Sequence, residues 1–157
     1  MKPNIDIPEA ARGAVIEILN RLLSDEYLLY TKTRNFHWNV VGPQFNDLHK
    51  FFEGQYEELN EVVDEIAERA RQLGGRAFGS LAEFAKTARL VEQPGVTPAA
   101  TEMIRALLND HEAIIRVLRA DIGAVQDKHG DVGTADFLTG LLEKHEKMAW
   151  MLRAFVS

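Results

Sequence analysis

The chain has 157 residues, of which 46% are hydrophobic, with a formal net charge of −6 and no cysteine. That length fits one compact domain, and that hydrophobic share is ample for a core. The lack of cysteine excludes disulfides, thiolate zinc sites and cysteine nucleophiles. The acidic balance argues against nucleic acid as an easy partner, and no apolar run is long enough to cross a bilayer. Met1 to Ala11 contains two prolines and two acids without a hydrophobic stretch, so it does not read as a signal peptide. Residues 1–157 read as a single domain with 1–6 as a short tail, in a cytoplasmic protein with no membrane partner.

In chain order, Ile7 to Trp38 reads as the first helix, with Asp6 as its cap and Pro8 in its first turn. Its apolar stripe is Val15, Ile18, Leu19, Leu22, Tyr27, Leu29 and Tyr30. Val40 to Pro43 breaks the pattern, and a second helix begins at Asn46 or a neighbour. Leu48, Phe52, Tyr56, Leu59, Val63, Ile66, Ala70 and Leu73 recur there at helical spacing, up to a stop at Gly74-Gly75. Arg76 to Pro98 is a long connection, within which Leu81 to Ala85 can form a short helix. Thr97 and Pro98 read as the start of the third helix, whose stripe includes Ile104, Leu107, His111, Ile114 and Leu118 and runs towards Val125. Asp127 to Gly133 is a polar turn, and Thr134 to Phe155 is the fourth helix. No segment alternates with period two, so the expected fold is all-α, a four-helix bundle with a short extra helix between helices 2 and 3. A connection of that length implies a crossover, or parallel neighbours, at that point in the bundle.

The second helix carries the chemistry. His49 and Glu53 are one turn apart, as are Asp64 and Glu68, so each pair can share a metal ion. The pairs cannot meet within one chain, because positions 49 and 64 are about 22 Å apart along a helix. They do mirror each other about a point between Glu58 and Leu59. A second copy laid antiparallel across a two-fold axis there would bring His49 and Glu53 of one chain to Asp64 and Glu68 of the other. The plainer alternative is a solvated acidic face, since Glu57, Glu58, Glu61 and Glu65 lie on the same helix. His111 reads as a hydrogen-bonded core histidine, His129 as part of a polar turn, and His145 as part of the charged run Glu143 to Glu146. No Glu-x-x-His pair occurs, although that motif supplies ligands to di-iron sites inside a single ferritin-like bundle.

His37-Trp38-Asn39-Val40-Val41-Gly42, followed by Leu48-His49 and Glu53, resembles the first signature of the Dps family of mini-ferritins. Val63-Asp64-Glu65-Ile66-Ala67-Glu68-Arg69 with Leu73-Gly74 resembles the second. The resemblance implies a ferritin-like fold and a homo-dodecameric hollow shell. It implies a ferroxidase that oxidises iron(II), preferably with hydrogen peroxide rather than oxygen, and stores ferric mineral, so protecting against oxidative stress. By position, His37, His49 and Glu53 would come from one subunit, and Asp64 and Glu68 from its two-fold partner. Position 53 is usually Asp in the family, so Glu53 brings a carboxylate that reaches one methylene further. Trp38, beside His37, is a candidate electron donor to a stray oxidant, or a packing residue at the interface. Asp127, Asp131 and Asp136 resemble the acidic three-fold pores through which iron enters, although Asp131 can equally cap a helix.

DNA binding is expected to be weak or absent. The tail holds only Lys2, and twelve chains at −6 each would carry about −72. A structural or DNA-compacting shell with little oxidation chemistry is the alternative reading, and a zinc hydrolase a third, since imidazole and carboxylate ligands also suit zinc.

Overall fold

Five α-helices and one π-turn organise residues 2–157, the residues described in the computed structural model. The helices are α1 (Glu9–Asn39), α2 (Phe45–Gln72), α3 (Leu81–Thr87), α4 (Ala100–Gly123) and α5 (Val132–Ala154). No strand occurs among the described residues. α1 packs along α2 and α4 along α5, and the 76–99 connection carries the chain between these two hairpins. α3 lies on α1, held by Phe84 stacked on Tyr27 with ring centroids 4.4 Å apart. The expected all-α bundle with a short extra helix is therefore the fold observed, and Met1 of the expected tail lies outside the described residues.

The core follows the 3-4 spacing of each long helix. On α1 it is Val15, Leu19, Leu22, Leu29 and Phe36, and on α2 Leu48, Phe52, Leu59, Val62, Ile66, Ala70 and Leu73. α4 adds Met103, Ile104, Leu107, Ile114 and Leu118, and α5 adds Leu138, Leu141, Met148 and Leu152. The apolar stripe expected on α2 is rotated in part. Val62 and Gln55 reach the core, while Val63 and Tyr56 are only half-buried. That rotation turns Tyr56 towards the His37 ring, 5.1 Å away edge-on.

The helix ends differ in detail from the sequence reading. Pro8 occupies the α1 N-cap position without a side-chain hydrogen bond, and Asp6, expected to be the cap, has φ +57°. Ala99 precedes α4, so Thr97 does not cap it. α2 does end where expected. Gly74 takes φ +89°, a left-handed conformation that suits glycine, and a Cβ there would meet the Pro3 ring at 2.7 Å. The polar segment expected to be a turn from Asp127 instead begins with the π-turn Ala124–Lys128, which continues α4 and buries Val125. π-turns of this kind are often found at functional sites.

Candidate metal centre

His37 lies at the C-terminal end of α1 and His49 in the first turns of α2, so the tight 40–44 connection folds one against the other. Their rings stack with centroids 3.8 Å apart and planes 17° apart. Each Nδ1 hydrogen-bonds the other residue's backbone carbonyl. His37 Nδ1 is 2.7 Å from the oxygen of His49, and His49 Nδ1 is 2.8 Å from that of His37. A carbonyl can only accept, so in both rings Nδ1 carries the proton and donates. Neutral rings in this tautomer leave both Nε2 atoms with a bare lone pair. A carbonyl that accepts the hydrogen bond of one ring nitrogen in this way prepares the other nitrogen to bind a metal.

His37 is buried and His49 half-buried, with Phe45 stacked on His49 at 5.2 Å. Glu53 follows His49 by one helical turn and is half-buried. Its charge is felt by Tyr56, whose hydroxyl pKa is raised by burial first and by Glu53 second. The Arg34 guanidinium lies over the rings of Tyr56 and Trp38, 5.3 Å from each centroid, and over Tyr30 at 5.7 Å. It also donates to the Tyr30 hydroxyl. Arg34 was not singled out by sequence, and Tyr56 only as part of the apolar stripe, although both stand at helical spacing from the histidines. Trp38 is 63% exposed, on the outer side of the same cluster.

Asp64 and Glu68 are exposed further along α2. None of the ion pairs among the described residues engages Glu53, Asp64 or Glu68. Within one chain, the described residues bring no three His, Asp or Glu groups together in a metal-holding cluster. The structure thus brings His37 and His49 together, with Glu53 one helical turn beyond His49, and leaves Asp64 and Glu68 further along α2, as the distance along a straight helix requires. What one chain presents is an imidazole pair with one adjoining carboxylate, and a separate carboxylate pair on the same helix.

The three pore candidates divide. Asp127 and Asp136 are exposed. Asp131 is buried and fully engaged. Its Oδ1 accepts from the Thr134 backbone N–H at 2.9 Å and from Arg69 Nη2 at 3.3 Å, and its Oδ2 accepts from the Thr134 hydroxyl. Asp131 is the N-cap of α5 and the counter-ion of Arg69, which also donates to Thr134 Oγ1 at 3.0 Å. Within this chain its carboxylate is held by the cap and by Arg69.

A bundle of long helices with histidine and carboxylate pairs spaced along its second helix defines a class, and comparison with known proteins agrees with it. The ferritin family model, described as a ferritin-like domain, matches residues 16–157. The chain is 50% identical to a low temperature-induced protein of Nostoc sp. over 98% of this chain and 86% of that protein. It is 37% identical to DNA protection during starvation protein 2 of Bacillus anthracis, over 91% of this chain and 97% of that one. The Dps protein of Vibrio cholerae, described as a member of a broad superfamily of ferritin-like diiron-carboxylate proteins, superposes with a TM-score of 0.93 at 27% identity. That match covers 99% of this chain and 97% of the other. The chain belongs to the Dps family of ferritin-like proteins.

Proposed function

We propose that this protein is a ferroxidase and iron-storage mini-ferritin that protects against oxidative stress. Iron is its substrate and cargo, and hydrogen peroxide is the preferred oxidant. Membership of a ferritin-like family supports iron chemistry in general. The observation that carries the reading to particular residues is the reciprocal pair of Nδ1-to-carbonyl hydrogen bonds, which leaves both Nε2 atoms of His37 and His49 free to bind a cation.

On this reading His37, His49 and Glu53 of one subunit hold iron(II) with Asp64 and Glu68 of a two-fold partner. The antiparallel contact of two α2 helices about Glu58 and Leu59 builds two such sites per dimer, and dimers assemble into a dodecameric shell. Neutral imidazoles and anionic carboxylates together offset the charge of iron(II), and more so that of iron(III). Two iron(II) ions give one electron each to a peroxide, which with two protons yields two waters and two iron(III). Delivering the electrons as a pair suppresses the one-electron route to hydroxyl radical. Asp127 and Asp136 line the entry, where a ring of carboxylates focuses the field on an arriving cation. Trp38, beside His37, would surrender an electron to a stray oxidant or pack at the interface.

The test is iron(II) titration of the assembled protein with peroxide, followed by measurement of particle size and iron content. Rapid oxidation and a mineralised shell are expected. The double variant His37→Ala/His49→Ala should assemble and lose most of the rate; an unchanged rate would overturn the site assignment.

A further inference from the structure

Away from the interface, the middle of the bundle contains a polar cluster built from all four long helices. α1 contributes Glu26, α2 Gln55, α4 His111 and α5 His145, with relative exposures of 0%, 4%, 0% and 0%. His145 sits between the other two charged or titratable members. Its Nε2 lies 2.9 Å from Glu26 Oε1, and its Nδ1 lies 2.9 Å from His111 Nδ1. Gln55 donates to the Met148 carbonyl, one turn along α5, at 3.4 Å. Among the described residues, seven buried side-chain N or O atoms make no hydrogen bond, and five of these belong to this cluster, although two of the five, Glu26 Oε1 and His145 Nε2, face each other at 2.9 Å. Polar groups at this depth are normally satisfied, so a concentration of bare atoms at one place needs a reason.

Proton counting supplies one. Two imidazole nitrogens approach to 2.9 Å only when one is protonated and the other is not. A carboxylate with no exposure needs a positive partner beside it. Both demands are met if the His145 ring is doubly protonated, giving Nδ1–H to the bare Nδ1 of His111 and facing Glu26 with Nε2–H. His111 is then neutral, and the cluster as a whole carries no net charge.

We propose that Glu26, His145 and His111 form a buried proton-binding site that holds one proton as the counter-ion of Glu26 and makes the packing of α1, α4 and α5 pH-dependent. Among the described residues, the ion pair of Glu26 is the one with His145. α2 contributes the uncharged Gln55, and α3 packs on α1 through Phe84 against Tyr27. The other buried charges close by in sequence are paired with their own partners, Asp25 with Arg89 and Lys32 with Asp110. Loss of the proton leaves a net negative charge in the core, and uptake of a second one leaves a net positive charge. Both loosen the same three helices.

The acid side has a definite sign. Burial first, and the charge of His145 second, hold the pKa of His111 well below its ordinary value of 6.5. The unfolded chain therefore takes up a proton at position 111 as pH falls through about 6.5, while the folded chain does not. Stability from this group is complete above that pH and declines below it. For one proton, the opening equilibrium of the affected helices rises about tenfold per pH unit.

The experiment uses the assembled protein. Hydrogen exchange read by mass spectrometry, corrected for intrinsic pH dependence, should show α4 around His111 and α5 around His145 opening more readily from pH 6.5 to 5.0. The α2 segment Glu53 to Leu59 should stay protected. Thermal unfolding from pH 5 to 9 is then compared between the native protein, His111→Asn and Glu26→Gln. His111→Asn should flatten the acid limb, and Glu26→Gln the alkaline limb. Profiles parallel to the native one in both variants, or acid exchange spread evenly over all helices, would overturn the proposal. Should a variant fail to assemble, the exchange result on the native protein decides alone. None of these readings depends on iron oxidation.

Discussion

Replacing Asp131 tests whether that carboxylate is structural or part of an iron channel. Asp131→Ala removes the α5 cap, which costs about 1 kcal/mol. It also leaves Arg69, whose side chain is 23% exposed, without its counter-ion. A hydrogen bond to a charged group contributes roughly 1.5–3 kcal/mol when protected, and less when solvent screens it, as it partly does here. The expected total is about 2–3 kcal/mol, since neighbouring losses overlap. Asp131→Asn keeps an oxygen for the Thr134 N–H and ranks equally as a cap, so it should cost about 1 kcal/mol or less. Urea unfolding at fixed protein concentration measures both, with the slope expected to stay unchanged. Stopped-flow iron uptake then separates the roles. Asp131→Asn should take up iron within about twofold of the native rate, because its charge is already paired away from solvent. Asp127→Asn/Asp136→Asn should slow uptake while leaving assembly intact. A purely structural Asp131 is refuted if Asp131→Asn slows uptake as much as that pair while stability is unchanged.

Three further outcomes follow from the same structure. Glu53→Asp shortens the reach of a half-buried carboxylate by one methylene and should shift iron(II) affinity and oxidation rate together; an unaltered titration curve would remove Glu53 from the site. Trp38→Phe should leave the bulk rate of iron oxidation unchanged but increase oxidative damage to the protein under excess peroxide, measured by peptide mass spectrometry. An increase in unassembled subunits instead, with no change in damage, assigns Trp38 to packing. In a gel shift at low salt near neutral pH, DNA should remain unretarded, since a formal charge of −6 per chain repels phosphate; a tight complex would contradict this.

Much of the fold was legible because α2 is both long and regular. The three-and-four spacing from Leu48 to Leu73 fixed the helix, and Gly74 marked its end. The same regularity made the mirror relation between His49/Glu53 and Asp64/Glu68 readable before any relative was considered. The reading failed where a polar residue occupies a core register. His145 sits in Glu143 to Glu146 and looks like surface, yet Leu138, Leu141, Leu142, Met148 and Leu152 put position 145 on the buried stripe of α5. Glu26 stands likewise between Leu22 and Leu29 on α1, and Gln55 between Phe52 and Leu59 on α2. Polar residues in step with an apolar stripe were the missed signal. The α1 and α4 caps were misplaced because Asp6 and Thr97 are good capping residues that the chain does not use as caps. The pairing of His37 with His49 through their carbonyls was beyond reach, because it depends on the path of residues 40–44.

Subunit mixing measures directly whether each site is shared between two copies of the chain. His37→Ala/His49→Ala and Asp64→Ala/Glu68→Ala are each expected to be inactive alone. Refolded together, half of the dimers should be mixed, and each mixed dimer should contain one intact site and one with both halves damaged. Peroxide-driven iron(II) oxidation should then recover to about a quarter of the native rate. Recovery to that level supports a centre shared across the two-fold axis. No recovery, with mixed dimers confirmed by native mass spectrometry, would contradict it.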